Sequence, residues 1–195
     1  QRQMCIRDRS HPEASNKLMI ASPIQVELVH IPSGQFLMGT DSRKDRRLKA
    51  DERPQHKVDL DDYHISKYPV TNAHYAAFIE ATGYETPNDR TDGEIPSKSR
   101  DHPIINISWH EATQFNKWLS QETGKRLRLP TEAEWEKAAR GPDGYIYPWG
   151  DIWDDRYVNT NNENTISVYQ YSPAAESVYG VAPLAGNIWE WTDSW

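Results

Sequence analysis

The alternation of apolar and polar positions becomes regular near Val26. Val26-Glu27-Leu28-Val29-His30-Ile31, the breaker Pro32-Ser33-Gly34, then Phe36-Leu37-Met38-Gly39 predict two short strands around a turn. Thr40 to Pro54 is charged and almost devoid of apolar residues, as a surface loop is. His56-Lys57-Val58-Asp59-Leu60 and Tyr63-His64-Ile65-Ser66-Lys67 predict a second strand pair across Asp61-Asp62. Three helices follow. Thr71 caps a segment with Tyr75, Phe78 and Ile79 on one face, closed by Gly83. Ser108-Trp109-His110-Glu111 is a capping box, opening a helix that repeats Trp109, Ala112, Phe115, Trp118 and Leu119 at helical spacing up to Gly124. Thr131-Glu132-Ala133-Glu134 repeats the device before Trp135, Ala138 and Ala139, with Gly141 as the stop. Glu85 to Pro103 reads as a polar loop, and beyond Gly141 there is no helical period. Strands, then helices, then a long irregular tail indicate an α+β domain with little regular secondary structure, rather than alternating βαβ units.

Composition sharpens the nature of the core. A chain of 195 residues suffices for one domain, and its apolar share is 36%. Eight Trp and ten Tyr stand against three Phe, so the core is expected to draw on rings with polar tips that need hydrogen-bond partners. Net charge is −7, and the densest basic patch, Arg43 to Lys49, is broken by Asp45 and followed by Asp51 and Glu52. That pattern excludes nucleic acid as a partner. No stretch reaches the roughly 20 apolar residues of a membrane helix, and Leu18 to Ile24 is too short and polar for a signal-peptide core. Residues 1–25 are expected to lie outside the domain, which then spans 26–195. Gln1 to Arg9 lacks periodicity and resembles translated adapter sequence, which would make Cys5, the single cysteine, foreign to the protein. One cysteine allows no intramolecular disulfide and no thiolate metal cluster.

Common catalytic constellations are missing. There is no glycine-rich phosphate loop, no G-x-S-x-G elbow and no C-x-x-C. The seven histidines (11, 30, 56, 64, 74, 102, 110) lack the i, i+4 pairing of a helical zinc site. His30, His56 and His64 are expected to be structural on strands, and His74 and His110 to be exposed in first helical turns. Arg128-Leu129-Pro130-Thr131-Glu132-Ala133-Glu134-Trp135-Glu136 reads as a strand end, a proline stop and a helix cap with acids at the positive helix end. Tyr147-Pro148-Trp149-Gly150 reads as a tight aromatic turn belonging to the core. Gly186-Asn187-Ile188-Trp189-Glu190-Trp191 sets a carboxylate among bulky rings. Such a charge needs a partner, which a hard cation, backbone amides or an arginine could each supply.

Longer signatures add to this. Ile31-Pro32-Ser33-Gly34-Gln35-Phe36-Leu37-Met38-Gly39-Thr40, Pro69-Val70-Thr71-Asn72 with Tyr75, and His102-Pro103 with the isoleucine-rich run from Ile104 to Ser108-Trp109 follow one another. Then come Arg128 to Glu136, Ala138-Ala139-Arg140-Gly141, Tyr147-Pro148-Trp149-Gly150-Asp151 and Gly186-Asn187-Ile188-Trp189-Glu190-Trp191-Thr192. In this order the blocks resemble the formylglycine-generating enzyme, or sulfatase-modifying factor, family. The resemblance implies a C-type-lectin-like variant fold, a monomer, and structural calcium. It implies calcium ligation by the carbonyls of Gly186 and Ile188 and the carboxylate of Glu190, with Pro183 where an Asn or Asp is usual. It implies a second calcium site beginning at Asn159 and the carbonyl of Thr160, with Asn162, Glu163 and Asn164 as further oxygen donors. Cysteines that some members carry are replaced by Asn116 and Ala139. The family's catalytic cysteine pair, which holds copper(I), follows the Trp-Glu-Trp-Thr block, so the sequence reads as lacking its C-terminal part, and copper enters only with that pair.

Three functions stand against one another. A formylglycine-generating oxidase would act on a cysteine in a C-x-P-x-R context of a sulfatase-type polypeptide, with copper and dioxygen. A non-haem iron sulfoxide synthase would carry a His-x3-His-x-Glu motif, which the sequence lacks. A non-catalytic module would present aromatic-rich loops to a protein or other ligand.

Overall fold

The computed structural model describes residues 4–6, 17–19, 25–41, 43, 52–85, 99–160, 164–182 and 185–194. The expectations for Lys44 to Ala50, for Thr86 to Lys98, and for Asn161, Asn162, Glu163 and Pro183 lie outside the described residues.

Among the described residues, seven strands and three helices make an α+β domain. The strands are β1 (Cys5–Ile6), β2 (Lys17–Met19), β3 (Gln25–Ile31), β4 (Gly34–Met38), β5 (His56–Leu60), β6 (Tyr63–Ser66) and β7 (Leu127–Arg128). The helices are α1 (Asn72–Thr82), α2 (Trp109–Thr123) and α3 (Glu132–Arg140). Five strands form an antiparallel sheet in the order β2-β3-β6-β1-β7, while β4 and β5 form a separate ribbon.

The strands fall where the apolar pattern puts them, but their pairing differs from the expected hairpins. β3 pairs with β6 and β4 with β5. Both short connections, Pro32-Ser33 and Asp61-Asp62, are therefore corners between sheets. The physical cause is visible at the first corner. Gly34 takes φ 123°, open to glycine alone, and the ammonium of Lys137 on α3 donates to the carbonyls of Pro32 (2.7 Å) and Gly34 (2.8 Å). Lys137 is 2% exposed, so a buried charge holds these two carbonyls at the corner.

Sequence patterning started the domain at Val26, yet Cys5 and Ile6 are hydrogen-bonded between β6 and β7, and Lys17–Met19 pairs with β3. Met4 and Cys5 are both buried, on opposite faces of the sheet.

Alternation along the strands divides the core in two. Met4, Val26, Leu28 and Leu127 pack on one face against Tyr75 and Phe78 of α1 and Phe115, Trp118 and Leu119 of α2. Cys5, Ile31, Tyr63 and Ile65 pack on the other against Ala138 and Ala139 of α3 and against Val181. All three helices begin at capping boxes, closed by Thr71, Ser108 and Thr131.

Tryptophan contributes less to the core than composition suggests. Of the described tryptophans only Trp118 is buried. The indoles of Trp109 and Trp191 lie nearer the surface and donate to the carbonyls of Thr192 (3.1 Å) and Ile107 (2.9 Å). The Tyr147–Gly150 turn forms as expected, closed by reciprocal backbone bonds of 2.9 and 3.0 Å. Its rings are not core. Tyr147 and Trp149 stack at 5.4 Å and join Trp153 and Tyr157 in a half-buried surface cluster.

Candidate functional site

The frame of the site is set by the strand-proline-helix block. Glu134 is fully buried and receives Arg128 through two bonds of 2.7 and 2.6 Å, while the backbone N–H of Thr131 donates at 2.8 Å. Burial alone would raise the pKa of this carboxyl. The Arg128 guanidinium and the Thr131 amide outweigh burial and hold it below the usual value. This fixes the N-terminus of α3, which then anchors the tail. The N–H of Asp193 donates to Pro130, and that of Glu132 to the Ser194 hydroxyl.

Against α3 runs the Gly-Asn turn. Gly186 (φ 70°) and Asn187 (φ 63°) both take the left-handed conformation, and a Cβ at Gly186 would stand 2.4 Å from Val158 and 2.9 Å from the Asn159 carbonyl. Asn187 is the clasp. Its backbone N–H donates to the Asn159 carbonyl (3.0 Å), its side-chain oxygen accepts from the N–H of Ile166 (2.9 Å), and its amide donates to the Ile166 carbonyl (3.2 Å). The Asn159 amide donates to the Asn164 carbonyl (3.0 Å) and to the Asn187 side-chain oxygen (3.3 Å). Those two bonds fix which way the amide faces and leave its Oδ1 available as an acceptor.

The result is one cleft of about 650 Å³ lined by Asn159, Thr160, Gly186, Ile188 and Glu190, which the sequence assigned to two separate calcium sites, while the carbonyl of Asn164, a further expected donor, accepts from the Asn159 amide. Glu190 has a buried Oε2. Among the described residues, no group of three or more His, Cys, Asp and Glu stands together as a metal cluster. The oxygens available in the cleft are thus chiefly carbonyl, amide and carboxylate, the donor set of a hard cation. The Gly186 carbonyl already accepts from the N–H of Ile188 at 2.7 Å, which still leaves it a second lone pair.

Five residues lining this cleft were not among the expected ligands, Trp189 and Thr192 being two of them. Glu132 and Trp135 of α3 line it, and Asn187 shapes it. In the sequence Glu132 reads only as a helix-end acid and Asn187 only as a turn residue. His74 is also corrected. It is not a freely exposed polar residue, because its Nδ1 accepts from the N–H of Thr71 (3.2 Å) in the capping box of α1. Burial lowers its pKa to about 4, against a smaller opposing effect of its hydrogen bond to the Gln25 backbone.

Known proteins share this architecture. The sequence matches the "Sulfatase-modifying factor enzyme 1-like domain" family over residues 19–195. It is 32% identical over 221 residues to the formylglycine-generating enzyme of Streptomyces coelicolor, covering 86% of this chain and 68% of that one. It is 32% identical over 190 residues to the serine/threonine-protein kinase pkn1 of Chlamydia caviae, covering 89% of this chain but 28% of the kinase. Among solved structures it is similar to PvdO from Pseudomonas aeruginosa, with a TM-score of 0.76 at 25% identity, over 92% of this chain and 75% of that one. A match across nearly the whole sequence, joined to the same α+β architecture, means that the chain belongs to the sulfatase-modifying factor enzyme 1-like family.

Proposed function

We propose that the protein acts as a formylglycine-generating-type oxidase whose scaffold is braced by calcium in the cleft at Glu190. The observation that carries this reading is the convergence of Asn159, Thr160, Gly186, Ile188 and Glu190 on that cleft, in a chain 32% identical to a formylglycine-generating enzyme. Calcium would be held by the Asn159 amide oxygen, the carbonyls of Thr160, Gly186 and Ile188, and the Glu190 carboxylate. Bound there, it would neutralise Glu190 and tie segment 159–160 to segment 186–190, two stretches that Asn187 already joins. The substrate class is a sulfatase-type polypeptide carrying cysteine in a C-x-P-x-R context, oxidised to formylglycine with copper and dioxygen. The single cysteine of this sequence, Cys5, is buried in the sheet, so the paired thiolates suited to copper(I) are not among these residues, and no catalytic step is assigned to them.

The test uses the protein in its complete reading frame. Incubated with copper and a C-x-P-x-R peptide, it should consume dioxygen and convert the cysteine to an aldehyde detectable by mass spectrometry. An unchanged peptide at full copper loading would contradict the oxidase reading. The match to part of a chlamydial protein kinase favours a second reading, in which the domain serves as a non-catalytic ligand-binding module. An unchanged peptide, together with retained calcium binding, is the result that reading expects.

A further inference from the structure

A second cavity of about 430 Å³ shares no residue with the Glu190 cleft and lies between the start of β3, the Arg100-Asp101 segment and the N-terminus of α1. Its lining carries opposite charges, Arg100 against Glu27 and Asp101. Among the described residues, the side chains of Arg100 and Asp101 form no ion pair or hydrogen bond, although they are neighbours in sequence. Their backbones are committed instead. The Arg100 carbonyl accepts from Ala73, and the Asp101 carbonyl from Val168, so both side chains are presented from a fixed main chain.

Tyr68 and Tyr169 line the same cavity, edge to face at 4.8 Å, with Tyr169 half exposed. Burial, then Tyr68, Asp101 and Glu27, raise the pKa of the Tyr169 phenol, so the negative field of both carboxylates reaches this ring. The cluster already seats one cation, since the Lys67 ammonium lies 5.5 Å from the Tyr68 ring centre. That lysine is committed to Glu176 at 2.9 Å and only distantly to Glu27 at 4.0 Å. His74, the remaining titratable wall, is neutral and tied to backbone on both sides.

We propose that this cavity binds a zwitterionic small molecule of the amino-acid class. Its ammonium is held by Asp101 and Glu27 against the tyrosine faces, and its carboxylate by the Arg100 guanidinium. The volume fits one amino acid with its side chain, within the range of small-ligand sites. A purely anionic ligand would meet two carboxylates, and a purely cationic one would meet Arg100.

The experiment is a thermal-shift and calorimetric screen of the protein against the common free amino acids. Their N-acetyl and carboxamide derivatives, which remove one charge each, serve as paired probes. At least one free amino acid should bind, with both derivatives weaker by about tenfold or more. Arg100→Gln and Asp101→Asn should each cost about tenfold in affinity while leaving the melting temperature of the unliganded protein unchanged, since among the described residues their side chains hold no bond of the fold. The proposal is overturned if no amino acid binds at millimolar concentration, if the blocked derivatives bind equally well, or if neither substitution weakens binding.

Discussion

Replacing Arg128 with methionine isolates the ion pair on which the site's frame depends. Arg128→Met keeps the apolar stem but removes both bonds to a carboxylate that has no exposed surface. Breaking a buried pair by deleting one partner costs about 3–5 kcal/mol. Because 27% of the Arg128 side chain is exposed, water can partly replace it, and the lower end, about 3 kcal/mol, is expected. For a domain of this size that is a fall of about 6–12 °C in melting temperature. The pH dependence carries the sharper information. In the parent protein the folded-state pKa of Glu134 lies below its ordinary value of 4.5, so its stabilisation is complete above that pH and is lost as pH falls through the folded value. Without Arg128, burial dominates and raises the pKa. The variant's deficit is then greatest near pH 7 and shrinks towards pH 5 as Glu134 takes up a proton. Urea unfolding at both pH values measures this. A deficit under about 1 kcal/mol at pH 7, or one identical at the two pH values, would refute the argument.

Three further outcomes follow from other parts of the fold. Lys137→Met strands the carbonyls of Pro32 and Gly34 at the inter-sheet corner and should cost about 2–4 kcal/mol in denaturant unfolding. Gly186→Ala forces a side chain into a left-handed position 2.4 Å from Val158, and strain plus overpacking should cost about 3 kcal/mol by the same assay. His74 has a folded pKa near 4 against 6.5 when free, so its contribution is present above pH 6.5 and lost as pH falls towards 4. His74→Gln should therefore flatten the acid side of the stability profile between those values, and an unchanged slope would show that His74 does not titrate in this way.

The parts of the fold legible in the sequence were those written locally. Thr71, Ser108 and Thr131 satisfy helix N–H groups three residues away, so the caps could be read without knowing the rest of the chain. Strand pairing could not be read this way. Lys137 draws the Pro32 and Gly34 carbonyls from more than a hundred positions away, and no period near Pro32 signals that corner. The tryptophan count misled for a related reason, whereas Tyr63 and Tyr75 are core rings as composition suggested. Indole N–H groups such as those of Trp109 and Trp191 find loop carbonyls near the surface, which keeps the rings half-buried rather than central. The cleft was legible in its Gly-Asn-x-x-Glu segment, whereas Glu132 and Trp135 join it only through the docking of α3.

The calcium proposed for the cleft at Glu190 is open to direct measurement. Calorimetric titration of the chelator-treated protein with calcium tests it directly. With one carboxylate among mainly neutral oxygens, the dissociation constant should be on the order of 10⁻⁴ M. About a hundredfold excess over that constant should then add about 2.7 kcal/mol of stability, a rise of about 5–10 °C in melting temperature. Glu190→Gln should weaken binding at least tenfold. A titration without heat and a melting temperature unmoved by calcium, or binding that survives Glu190→Gln unchanged, would contradict the assignment.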